Sequence, residues 1–90
     1  MKRIQLSKTY TLGNQERDYV EMREPCVRDN LNVSKIKDEE KREITLLANL
    51  CNVTNDELEN LSLGDYGRLT QAFFGFIGLQ QPSLEQPYLH

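Results

Sequence analysis

The residues with chemical potential are few, and their spacing argues against catalysis. A carboxylate pair for general acid–base work could be drawn from Glu39, Glu40 and Glu43, but Lys41 and Arg42 lie among them. On an amphipathic helix such a cluster reads as a solvated face with i,i+4 pairs. The single histidine, His90, stands at the end of the sequence, and a terminal imidazole is a poor general base for a Ser–His or Cys–His arrangement. Cys26 and Cys51 are much farther apart than the roughly two to four residues that separate paired metal ligands. Both sit among apolar neighbours and read as buried, reduced thiols in a reducing compartment. The five glycines are scattered and none precedes a Lys-Ser or Lys-Thr pair, so there is no phosphate-cradling loop. The expectation is a protein that is not an enzyme and has no cofactor and no metal.

The chemistry that remains is apolar recognition. A helix expected over 38–51 carries Ile44, Leu47, Ala48 and Cys51 on one stripe, and Leu46 and Leu50 widen that stripe to about half the circumference. Such a helix is either central to a bundle or shared with a partner. A last helix, expected over 63–77, places Tyr66, Leu69, Phe73, Phe76 and Ile77 on one continuous face suited to a core. Phe74 lies about 100° from the centre of that face, on the side of Gly67 and Gly78. It reads as a ridge for a partner, with packing on the hairpin as the alternative, and Phe74→Asp is expected to weaken binding without unfolding the monomer. After Gly78 the composition changes to two prolines and three glutamines without helical period. This predicts a disordered C-terminal tail over 79–90, or one that orders on binding, in which Leu79, Leu84, Tyr88 and Leu89 are the available anchors. The expected partner-binding residues are therefore Leu46, Leu50, Phe74, Leu79 and Tyr88.

The elements that must position these residues follow from local pattern. Ile4, Leu6, Tyr10 and Leu12 alternate with polar residues, interrupted only by Lys8, and Val20 and Met22 repeat the alternation after Gly13-Asn14-Gln15-Glu16. A period of two on either side of turn residues is a hairpin, expected over 3–23. A lone hairpin is marginal in water and must lie on helices or pair with another chain. Pro25 ends the second strand and opens a short helix over about 25–32, with Val27 and Leu31 on one face. Asp38 is the expected N-cap of the 38–51 helix. Thr54 with Glu57 forms a capping box for a helix over 55–61, and Ser62 with Asp65 repeats that pattern more weakly. The fold class is α+β: an N-terminal two-stranded β-hairpin, then a small bundle of three to four α-helices, in one domain over 1–78.

Charge narrows the partner. The chain carries a net charge of −3, which argues against nucleic acid, and no apolar run is long enough for a signal peptide or membrane span. Residues 1–37 carry eight Lys and Arg against five Asp and Glu, and residues 38–90 carry three against nine. Oppositely charged ends permit head-to-tail self-association; ordinary solvated faces are the simpler reading.

Three segments carry a family resemblance. The first is Val20-Glu21-Met22-Arg23-Glu24-Pro25 at the end of the hairpin. The second is Glu43-Ile44-Thr45-Leu46-Leu47-Ala48-Asn49-Leu50, running into Val53-Thr54-Asn55-Asp56-Glu57-Leu58. The third is Leu61 followed by Asp65-Tyr66, Leu69 and Phe74-Gly75-Phe76-Ile77. In this order and spacing, over about 4–78, the chain resembles the small tail assembly chaperones of Mu-like contractile-tailed bacteriophages. It departs from them at Thr9, where many relatives have proline, and at Asn52-Val53, where many have Gly-Leu. The resemblance implies a protein of the host bacterial cytoplasm, not part of the mature virion. Its partner would be the phage tape measure protein, kept soluble while tube subunits polymerise around it. It also implies a longer frameshifted second product. The alternatives are a structural or adaptor protein of the tail and a small regulator, whose basic recognition helix would have to come from Arg28 and Lys35 to Lys37.

Overall fold

In the computed structural model, which describes residues 1–78, two antiparallel strands are followed by four helices. These are β1 (Lys2–Leu12), β2 (Gln15–Met22), α1 (Val27–Val33), α2 (Glu39–Cys51), α3 (Asn55–Glu59) and α4 (Leu63–Phe76). This is the expected α+β order of a hairpin and then helices. The expected tail, with Leu79 and Tyr88, lies outside the described residues.

The strands reverse through two residues, Gly13 and Asn14, both at positive φ (62° and 65°). That is the requirement of a type I′ turn, whose twist matches the strands it joins. The Gly13 amide donates to Glu57 Oε2 at 2.8 Å, which fastens the turn to α3. Ile4, Leu6, Leu12, Val20 and Met22 are buried, as the alternation requires. The break at Lys8 is structural. Gln5 pairs with Tyr19 and Tyr10 with Arg17, so Leu6, Ser7, Lys8 and Thr9 oppose Asp18 alone. A bulge of this kind releases backbone groups from the ladder and re-aims side chains. The released Ser7 amide donates to Asp65 of α4 instead.

α2 is the central helix. It packs against α1, α3, α4 and β2, and Leu47, Ala48, Leu50 and Cys51 are buried along it. The Asp38 side chain accepts from the amides of Glu40 and Lys41, as expected for the N-cap. Asn52 ends the helix in the left-handed region, at φ 57°. Asparagine tolerates this conformation better than any other residue with a Cβ except aspartate. Asn52 therefore stops the helix as a glycine at this position would. Asn52→Ala is expected to cost about 1 kcal/mol, and Asn52→Gly to stay within about 0.5 kcal/mol of the parent, in urea melts.

Two elements differ from expectation. α1 does not bury Val27 and Leu31, which are 75% and 65% exposed; it buries Asp29 and Val33. The cause is the Asp29 carboxylate, which accepts two hydrogen bonds from the Arg23 guanidinium at the end of β2 and one from the Cys26 amide. This bidentate pair and the Cys26 amide tie Asp29 to the end of β2, and with it the rotation of the helix. Cys26, expected to be buried, is exposed at the head of this helix. The second difference is in α4. Its buried centre is Asp65, Leu69 and Ala72, while Tyr66, Phe73 and Phe76 are only partly buried and Ile77 is exposed. Counting only large apolar residues misses this centre, because a small residue and a charged one occupy it.

Candidate partner-binding groove

α1, α2 and α4 do not close on one another. Between them runs an open groove of about 590 Å³, within the range of small-ligand pockets and of helix-accepting clefts. Val33 from α1, Leu46 and Leu47 from α2, and Phe73 and Phe74 from α4 give it an apolar floor; Ile77 lies at one end. Asn30, Ser34, Glu39, Arg42, Glu43 and Thr70 supply the polar rim. Thr70, Phe73, Phe74 and Ile77 line it at helical spacing, so α4 has two working faces. Asp65 and Arg68 bond to β1, and the second face opens to the groove.

The expected site residues divide. Leu46 and Phe74 meet in the groove. Leu50 does not join them; at 2% exposure it is a core residue whose carbonyl accepts the Arg23 amide, so it has no surface to offer a partner. Phe74 is not a free-standing ridge. It is 9% exposed and makes an edge-to-face contact with Phe73, ring centroids 5.8 Å apart. Phe74→Asp would bury a charge and unfold the chain along with any binding defect. Nor does Gly67 provide a close approach, since a Cβ there would meet nothing within 4 Å. Gly67→Ala is expected to stabilise α4 by about 0.5–1 kcal/mol, raising Tm by a few degrees. Residues that the sequence pattern passed over are Val33, Thr70, Phe73 and Ile77; the Thr70/Phe73/Phe74/Ile77 spacing was the available signal.

The groove wall is held in place by a buried carboxylate on the opposite side of α4. Asp65 Oδ1 accepts from the Ser7 amide (2.9 Å) and from Arg68 (3.2 Å), and Oδ2 accepts from the Ser7 hydroxyl (2.8 Å) and the Tyr10 hydroxyl (2.7 Å). The Tyr10 oxygen in turn accepts the Ser62 amide, and Ser62 Oγ caps α4 by accepting the Asp65 amide. Burial alone would raise the Asp65 pKa, but the hydrogen bonds from Tyr10 and Ser7 outweigh it and hold the group ionised below its usual range. On the far side, the Tyr66 hydroxyl donates to Glu43 at 2.6 Å; burial first and then Glu43 push the phenol well above its ordinary value. Glu43 is thus a structural acceptor. The Cys51 thiol is pushed up to about 12 by burial, which leaves it a small hydrophobe.

The groove's lining is chiefly apolar with a polar rim. Among the described residues no group of three His, Cys, Asp or Glu is placed to hold a metal ion, and no helix is long and apolar enough to cross a membrane. No curated protein and no solved structure matches the chain. The family model described as "Phage tail assembly chaperone proteins, E, or 41 or 14" matches residues 3–78. A match over nearly the whole described chain makes this protein a member of the phage tail assembly chaperone family, a non-enzymatic family whose partners are tail proteins.

Proposed function

We propose that this chain is the tape measure chaperone of a Mu-like contractile-tailed phage. Its groove takes the apolar face of a helical segment of the tape measure protein and keeps that client soluble while the tail tube polymerises around it. The chaperone then leaves, so it works in the host bacterial cytoplasm and is not part of the finished virion. A longer frameshifted product would share this body. The observation that carries the reading is the groove: an apolar floor of Leu46, Leu47, Phe73 and Phe74 between three helices, with a polar rim. A helical client presents anchors at i, i+3, i+4 and i+7 to such a cleft. A long client offers many equivalent segments, so modest affinity per site suffices when several copies act on one chain.

Coexpression tests it. The tape measure protein of the same phage should be insoluble alone and should copurify with this chain when both are made together. Proteomics of purified virions should then find the tape measure protein and not the chaperone. A tape measure protein that stays insoluble in its presence, or a chaperone retained in virions, would overturn the reading.

A further inference from the structure

The outer face of α1 is unusual for a chain with so little apolar material. Val27 and Leu31 stand one turn apart on one face of a seven-residue helix and are its most exposed large apolar groups. They form an exposed ridge that runs alongside the groove rim, since Asn30 and Ser34 follow Val27 and Leu31 by three residues each and share their side of the helix. Charge flanks the ridge asymmetrically. Glu24 lies just before α1 and Lys35 just after it, and both are exposed. Asp29 is already satisfied by Arg23, so it adds no free charge to the face.

We propose that this ridge docks a second copy of the same chain, α1 against α1, antiparallel about a two-fold axis. In that arrangement Val27 packs on the second copy's Leu31 and Leu31 on its Val27. Glu24 comes alongside the second copy's Lys35 at one end, and the same pair repeats at the other. A surface that meets itself across a two-fold must be complementary to itself. An apolar pair at the centre, with an exposed acid before the helix and an exposed base after it, satisfies that condition. A parallel pairing would set Glu24 against Glu24 and Lys35 against Lys35. The occupant is therefore a second copy in one orientation.

The size of the patch sets when the contact forms. Two crossing helices of this length cover well under the roughly 1,200 Å² of a stable interface. The free chain is accordingly a monomer at micromolar concentration and pairs only when crowded. The groove rim and the ridge are adjacent strips of one helix. If the proposed client reading holds, copies seated on neighbouring client segments bring their ridges together at an effective concentration near the millimolar range. The pairing itself does not rest on that reading.

Sedimentation equilibrium of the full chain, without any client, tests the pairing between about 10 µM and about 1 mM. The expected result is a monomer at the low end and a concentration-dependent dimer at the high end. Leu31→Lys should weaken the dimer at least about tenfold, and Glu24→Lys or Lys35→Glu should each weaken it. The double variant Glu24→Lys/Lys35→Glu should restore it, which no parallel or unrelated contact would do. All these positions are exposed, and circular dichroism verifies the fold of each variant. A chain that stays monomeric throughout, a dimer indifferent to Leu31→Lys, or a charge swap that fails to restore pairing would overturn the proposal. Because no client is present, such a failure leaves the groove reading untouched.

Discussion

Asp65→Ala is expected to lower the stability of the chain by about 2–4 kcal/mol, because it removes the shared acceptor of four hydrogen bonds. The substitution leaves the Ser7 amide, the Ser7 hydroxyl and the Tyr10 hydroxyl without their acceptor at a site that is 1% exposed. Ser7 is exposed and Tyr10 half-buried, so water takes up part of the loss and each donor costs toward the low end of the roughly 1–3 kcal/mol of a buried unsatisfied group. A domain of this size has about 5–15 kcal/mol in total, so the variant should lose roughly 10–30 °C in Tm. Asp65→Asn keeps one acceptor oxygen and should lose less. The same carboxylate gives the chain an acid limit. Asp65 and Asp29 both titrate below their ordinary range in the folded state. A depressed folded pKa contributes stability that is full above the unfolded pKa, about 3.9 for aspartate, and is lost as pH falls through the folded value. Urea midpoints should therefore hold level from neutral pH down to about pH 5 and drop below about pH 4. In Asp65→Asn that drop should be shallower, with Asp29 and Glu57, whose carboxylates are also held below their usual range, still contributing it.

The second large effect is on binding. Thr70→Asp combined with Ile77→Asp should weaken the complex with a helical tape measure fragment by at least about 30-fold, with a stability change within about 1 kcal/mol. Thr70 and Ile77 line the groove without being core residues, since Thr70 is half-buried and Ile77 is 42% exposed. An acid at each would be desolvated by an incoming apolar helix and would join Glu39 and Glu43 on the rim. Thr11→Asp, on the exposed side of the hairpin, is the control and should bind as the parent does. Isothermal titration with the fragment, alongside thermal melts, separates lost affinity from lost fold. Phe74→Asp cannot make that separation, because its ring is part of the packed structure.

Much of the architecture was legible because local rules set it. Gly13-Asn14 could reverse the chain in only a few ways, Asp38 and Thr54 cap the helices they were expected to cap, and the even-numbered apolar residues of the hairpin face inward. What was not legible depends on contacts between residues distant in sequence. Ser7 and Asp65 are 58 positions apart, and nothing near Asp65 indicates that its carboxylate fills a bulge in β1 and does not return to its own helix cap. The rotation of α1 likewise follows from Arg23 and Asp29 finding each other across the strand end, which inverts the expected apolar face. The groove was half visible. Leu46 and Phe74 were picked out as surplus apolar surface, and they meet there. Leu50 was picked out by the same reasoning and is core, because a wide apolar arc does not say which of its edges the hairpin covers.

The central claim is that a helical tail-protein client lies in the groove between α1, α2 and α4. The most direct measurement is site-specific photo-crosslinking during coexpression with the tape measure protein. A photoreactive side chain at Ser34 or Ile77, on two sides of the groove, should capture the tape measure protein, and one at Thr11 on the hairpin should not. Capture from Thr11 with none from Ser34 or Ile77 would place the client elsewhere and contradict the account.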